Sequence, residues 1–297
     1  MLAFLSRPCL LLLAVLLASG CAARLAPGER ALAGRAFDGE GRRLPPASVH
    51  RMLADADVVI LGETHDDAEA HALQLSLFRA ASRAAGSGHA LSLEMMETDE
   101  QPLVDAWLAG EITTEELVER TGSADWAGEG SWASWYQPVL DAARESGAGI
   151  VAANAPRRYV RMAWEDGRQS MEALPPEERA LFEFPVAEHP GYYARFLEAM
   201  GSHLGEEDEK VRAMFLGQLV WDATMASAIL EAHDAGARPV VHLVGQFHSD
   251  FEGGLVGELR ARKPGLRVVV VSLSPGKAPR SLAPGDEGRA DVVIYTK

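Results

Sequence analysis

Cysteine is nearly absent. Of 297 residues only Cys9 and Cys21 are cysteines, and both lie in the first 21 positions. The rest of the chain has no disulfide and no thiolate ligand, so a hydrophobic core must hold it together. Basic residues are also scarce: 28 Lys and Arg face 43 Asp and Glu, giving a net charge of −15. No basic patch or stripe is visible along the chain, which argues against nucleic acid or anionic lipid as a partner. No apolar run reaches the roughly 20 residues that a bilayer core requires. No internal repeat is visible. Tyrosine is rare enough to weigh each one: Tyr136, Tyr159, Tyr192, Tyr193 and Tyr295.

What is present begins at the N-terminus. Arg7 is the only charge in the first twenty residues, an apolar run spans Leu10 to Leu17, and Ala18-Ser19-Gly20-Cys21 follows. This order reads as a signal peptide over residues 1–20. Small residues directly before a cysteine resemble the lipobox of bacterial lipoproteins. That resemblance implies cleavage before Cys21 and attachment of acyl chains such as palmitate to it. Several chains make a firm anchor where one does not. The usual leucine three residues before the cysteine is Ala18 here, with Leu17 one place earlier. The alternative is an ordinary secretory signal with an unrelated cysteine. Ala22 is not the acidic retention signal of inner-membrane lipoproteins, so the outer membrane of a bacterial envelope is expected. Residues 21–45, rich in Ala, Gly, Arg and Pro, read as a lipid-anchored tether, and 46–297 as one domain.

Six short apolar runs stand out in that domain: Val58–Leu61, Ala90–Leu93, Gly149–Ala153, Pro239–Val244, Arg267–Leu273 and Asp291–Tyr295. They show little alternation, as strands buried on both faces do. Helical patterns over 68–85, 132–146 and 208–235 lie between them. The expectation is an α/β fold, a largely parallel sheet flanked by helices. The Pro-rich, aromatic-rich stretch 158–205 breaks the pattern and reads as a helical insertion. Residues 274–288 read as a loop or a two-strand excursion.

The polar residues sit where these runs end. The first leads into Gly62-Glu63-Thr64-His65, the second ends in Glu94, the third in Asn154, and the fourth in Gly245-Gln246-Phe247-His248. Ligands of open α/β sheets bind outside the carboxyl ends of the strands. Two imidazoles with carboxylates are also a set able to hold a divalent ion such as Zn²⁺ or Mn²⁺. In the pattern 208–235, Gln218 and Asp222 fall four apart on one face. Asp222 is either a further metal ligand or the acceptor that orients His65 or His248.

The segments ILGETHDDAEAHALQL (60–75), LEMM (93–96), AANAPR (152–157), GQLVWDATMASAI (217–229) and GQFH (245–248) resemble the ChaN family of haem-binding lipoproteins. That family is related to the Tiki proteases and erythromycin esterases through paired Gly-x-x-His motifs. The resemblance covers roughly residues 47–265. It implies ferric haem bound through a tyrosine, uptake of haem iron, and a homodimer with paired haems. In this chain Tyr193, then Tyr192, are the candidate ligands. Both lie in the insertion near Phe184, His189 and Phe196. The hydrolytic relatives imply a second possibility, a metal-dependent hydrolase or protease. His65, His248, Asp222 and Glu94 would hold the ion, and Glu63 or Glu94 would act as general base.

Overall fold

The computed structural model describes residues 32–187, 190–201 and 209–297. The expected signal segment, Cys21 and His189 lie outside the described residues.

Seven strands form one sheet: β1 (Ala36–Phe37), β2 (Val58–Glu63), β3 (Ala90–Glu97), β4 (Gly149–Asn154), β5 (Val240–Gly245), β6 (Val268–Ser274) and β7 (Val292–Tyr295). Their order is β1-β7-β6-β2-β5-β3-β4. β1 runs antiparallel to β7, and every other pair is parallel. All six expected strands are present. Their lack of polar alternation has a plain cause: both faces are covered. Val59, Leu61, Leu91, Leu93, Val241 and Leu243 enter one core with the helices Pro46–Asp55, Ala68–Ala85 and Gln137–Ser146. Val58, Ile60, Ala90, Val240 and Val270 enter the other, with the long helix Glu209–Asp234 and the helix Gly254–Arg262.

β1 was not expected, and it shortens the tether. Residues 21–45 read as a linker, yet Leu32, Ala36 and Phe37 are buried and Ala36 pairs with Ile294. A strand of two residues leaves no periodic trace in an Ala-Gly-Arg-rich stretch. Residues from Leu32 onward are thus part of the fold. The region 274–288 is a loop with one 3-10 turn, Pro284–Asp286, not a strand pair. The long helix is apolar enough by length and composition to cross a membrane, contrary to the sequence reading. Its buried positions, among them Val220, Ala223, Met225 and Ile229, pack it as a core helix instead.

The expected insertion is helical. Helices Arg157–Glu165, Gly167–Glu172, Pro176–Arg179 and Pro190–Met200 fill it. Tyr159, Val160, Met171, Phe182 and Phe184 give it a small core against Val220 of the long helix. Close packing there needs Gly217, because a Cβ would stand 1.9 Å from Trp164 Nε1. Buried Glu258 accepts the amides of Val186 and Ala187, which ties the insertion to the helix Gly254–Arg262.

Candidate functional site

The carboxyl ends of β2, β3 and β5 lie side by side because these strands are parallel neighbours. Glu63 is the last residue of β2, and its carboxylate is buried. His65 Nδ1 lies 3.0 Å from Glu63 Oε1. Tyr136 donates its hydroxyl to the same oxygen at 3.0 Å, and His71 Nδ1 stands 2.7 Å from Oε2. Burial raises the Glu63 pKa, but the bonds from His65 and His71 outweigh it and hold the acid below its ordinary value.

Glu94, within β3, is the hub between two imidazoles. Its Oε2 accepts the amide of Gly245 at 2.6 Å, and its Oε1 lies 3.6 Å from His248 Nε2. Behind His248, fully buried Asp222 holds Nδ1 at 2.7 Å. Burial pushes the His248 pKa down, yet Asp222 and Glu94 carry it up to about 9. His65 is likewise raised: burial lowers it, and the bond to Glu63 and the charge of Glu94 prevail.

Both Gly-x-x-His motifs need their glycines for space. A Cβ on Gly62 would lie 2.5 Å from Ser249 Oγ and 3.2 Å from Gln246 Cα. A Cβ on Gly245 would lie 2.8 Å from His65 Cε1 and 2.9 Å from its Nε2. The first motif's histidine thus rests on the second motif's glycine. Gly254 plays the same part behind the site, where a Cβ would meet Asp222 Oδ2 at 2.2 Å.

Sequence reasoning gathered Glu63, His65, Glu94, Asp222 and His248 at one rim, and the structure brings them together. Of the two roles open to Asp222, the geometry shows an acceptor that orients His248. Asn154 arrives at the same rim but works on backbone, donating to the Glu94 carbonyl at 2.9 Å. Tyr136, His71 and Trp126 were missed. Trp126 packs edge-on against His65 at 4.9 Å and Trp135 stacks on His71 at 4.6 Å. His71 stands inside the 60–75 motif, six residues after His65, and that spacing was the available signal. Tyr136 and Trp126 come from loop and helix segments with no signal linking them to the rim. A cavity of about 240 Å³ opens beside Glu94, with Trp126, Asn154 and Arg157 among its walls.

The divalent ion expected on His65, His248, Asp222 and Glu94 is not supported. Among the described residues no group of three or more His, Cys, Asp or Glu side chains is arranged to hold a metal. Part of each group's capacity is taken up, at His65 Nδ1, Asp222 Oδ1 and Glu94 Oε2. His65 faces Glu63, Asp222 faces His248, and Glu94 accepts a backbone amide.

The two candidate tyrosines differ. Tyr192 is 1% exposed, and Gln218 donates to its hydroxyl at 2.8 Å. Burial and the neighbouring Asp222 carboxylate push its phenol well above the ordinary value. That setting opposes a phenolate. Tyr193, the next residue of the helix Pro190–Met200, is partly exposed. Its ring packs on Phe215 at 4.9 Å and under the Arg212 guanidinium at 5.5 Å. Leu197 and Met200 follow at i+4 and i+7, on the same helix face, and Met200 is 38% exposed. An apolar, partly open strip beside the Tyr193 ring suits a porphyrin face.

The model of a family described as haem-binding uptake, Tiki superfamily, ChaN, matches residues 49–259. The solved structure of cofacial haem binding to ChaN of Campylobacter jejuni superposes with a TM-score of 0.65. It is 20% identical and covers 88% of this chain and 95% of that one. The type III effector HopBA1 gives a TM-score of 0.47 at 14% identity, over 84% of this chain and 91% of its own. No curated protein matches the sequence.

Proposed function

The chain belongs to the ChaN family of haem-binding uptake proteins in the Tiki superfamily, and from that premise we propose that it is a membrane-anchored lipoprotein that binds ferric haem for iron uptake. Tyr193 is the proposed ligand and Cys21 the proposed lipid attachment point, with the outer membrane as location. Haem is cargo here, not a reagent. A phenolate is a hard anionic oxygen donor of the kind that ferric haem accepts. The observation that carries the assignment is the contrast between adjacent tyrosines: Tyr192 locked in a buried hydrogen bond, Tyr193 partly exposed beside Phe215, Leu197 and Met200. A second copy of the chain closing over that apolar strip fits the homodimer that the family implies.

Hemin titration of the purified protein tests this. Wild type and Tyr192→Phe are expected to bind hemin with a charge-transfer band typical of ferric phenolate. Tyr193→Phe is expected to lose that band and to bind at least tenfold more weakly. Unchanged binding in Tyr193→Phe removes the assignment.

A second reading is favoured by one observation: two carboxylate-held imidazoles flank Glu94. This is a proton donor and acceptor set suited to hydrolysis without a metal. His248 donates a proton, Asp222 keeps its ring oriented, and Glu94 or Glu63 accepts. Loss of turnover of an activated ester in His248→Ala, with hemin binding intact, supports it. Equal turnover in wild type and variant rejects it.

A further inference from the structure

The net charge of −15 hides a local surplus of the opposite sign. Arg43 donates to the carbonyls of Gly34, Pro279 and Arg280. Arg35 donates to the Thr296 carbonyl at 3.0 Å. Ala278 N donates to the Lys297 carbonyl, and Lys297 N donates to the carbonyl of Gly276, the neighbour of Lys277. Five cations from three distant stretches, Arg35, Arg43, Lys277, Arg280 and Lys297, thereby share one surface. Their guanidinium bonds go to backbone carbonyls, and none of the five is in an ion pair among the described residues. Nearby acids are largely spoken for. Asp38 and Glu40 face Arg42, and Asp286 faces Arg289. Glu287, Asp66 and the terminal carboxylate remain.

Topology decides where this surface points. β7 runs parallel to β6, and β1 runs antiparallel to β7. Residues just before Ala36 and just after Tyr295 therefore lie at the rim where β2, β3 and β5 end. Thr296 Oγ1 donates to Asp67 at 2.7 Å, two residues beyond His65, so the cationic surface adjoins the site's own loop. Chain position adds the second argument. The described part begins at Leu32, three residues before Arg35, and ten residues separate it from Cys21. Ten residues span at most roughly 35 Å when fully extended. A lipid on Cys21 thus keeps this surface close to the bilayer.

We infer that the cationic surface around Arg35, Arg43, Lys277, Arg280 and Lys297 rests on anionic phospholipid headgroups and turns the functional rim toward the membrane. The inference rests on the proposed lipid anchor. Basic side chains within a Debye length of an anionic leaflet supply the second attachment signal beside the acyl chains. It also reverses the sequence expectation of no anionic lipid contact, because folding assembles a patch that chain order does not show.

The test uses the full lipidated chain in vesicles of phosphatidylcholine with phosphatidylglycerol. The only other cysteines leave with the signal or carry lipid, so Ser281→Cys accepts one fluorophore beside Arg280. Ser87→Cys, exposed ahead of β3 at the opposite edge, serves as control. Brominated phosphatidylglycerol is expected to quench the label at 281 at least threefold more than at 87. Adding Lys277→Glu with Arg280→Glu, or raising salt to about 0.5 M, is expected to erase most of that difference. Equal quenching at both positions, or a difference that the charge reversals leave intact, overturns the inference while the anchor stands. Protein that fails to float with the vesicles overturns the anchor and this inference together.

Discussion

At the scale of single residues, the pair Asp222–His248 concentrates the electrostatics. His248 titrates near 9 because of Asp222 and Glu94, against burial that acts the other way. A raised folded pKa contributes stability below the unfolded value near 6.5, and that contribution is lost as pH rises through about 9. The shift corresponds to about 3 kcal/mol. Asp222→Asn is therefore expected to lower the His248 titration midpoint, followed by NMR, by at least one unit. Its destabilisation should be large at pH 6 and shrink above pH 9. A midpoint unmoved in that variant contradicts the pairing. His242 behaves oppositely. It is buried in β5 beside Ser92, and burial holds its pKa down at about 3. It stays neutral when folded, so acidification below about 6.5 withdraws stability. Tyr192→Phe is expected to leave hemin binding in place but cost about 1–2 kcal/mol in denaturant melts, since Gln218 loses its buried acceptor.

At the scale of elements, β4 is the open edge of the sheet, and one side chain covers it. Gln101 donates to Ile150 O at 2.9 Å and accepts from Ala152 N at 2.7 Å, imitating a neighbouring strand. Gln101→Ala should expose both groups and raise aggregation on warming, as light scattering would show. The parallel strands were legible because burial on both faces makes each an unbroken apolar run. The long helices Ala68–Ala85 and Glu209–Asp234 were legible from their period and length. Short helices such as Gln101–Leu108 and Thr114–Thr121 were not, for each offers only two turns of pattern. Glu63, His65, Glu94 and His248 were legible because strand ends in a parallel sheet converge by construction. Tyr136 and Trp126 were not, since their arrival at Glu63 and His65 depends on how a connecting segment folds back. The expected metal is left without support for a related reason. Residue types name possible ligands, but only hydrogen-bond partners show which donors are already committed.

At the scale of the whole molecule, the rim with its histidines and the surface of Arg35 and Arg43 lie on the same edge of one sheet. The strip of Tyr193, Leu197 and Met200 is a separate feature of the insertion. If a second copy closes over that strip, as proposed, sedimentation should show monomer without hemin and dimer with it. Tyr193→Phe should abolish that step. The most direct measurement is resonance Raman spectroscopy of the hemin-loaded protein. Wild type should show an iron–phenolate stretch that persists in Tyr192→Phe and disappears in Tyr193→Phe. An iron–phenolate signal retained without Tyr193, or none in wild type, contradicts haem ligation on this helix.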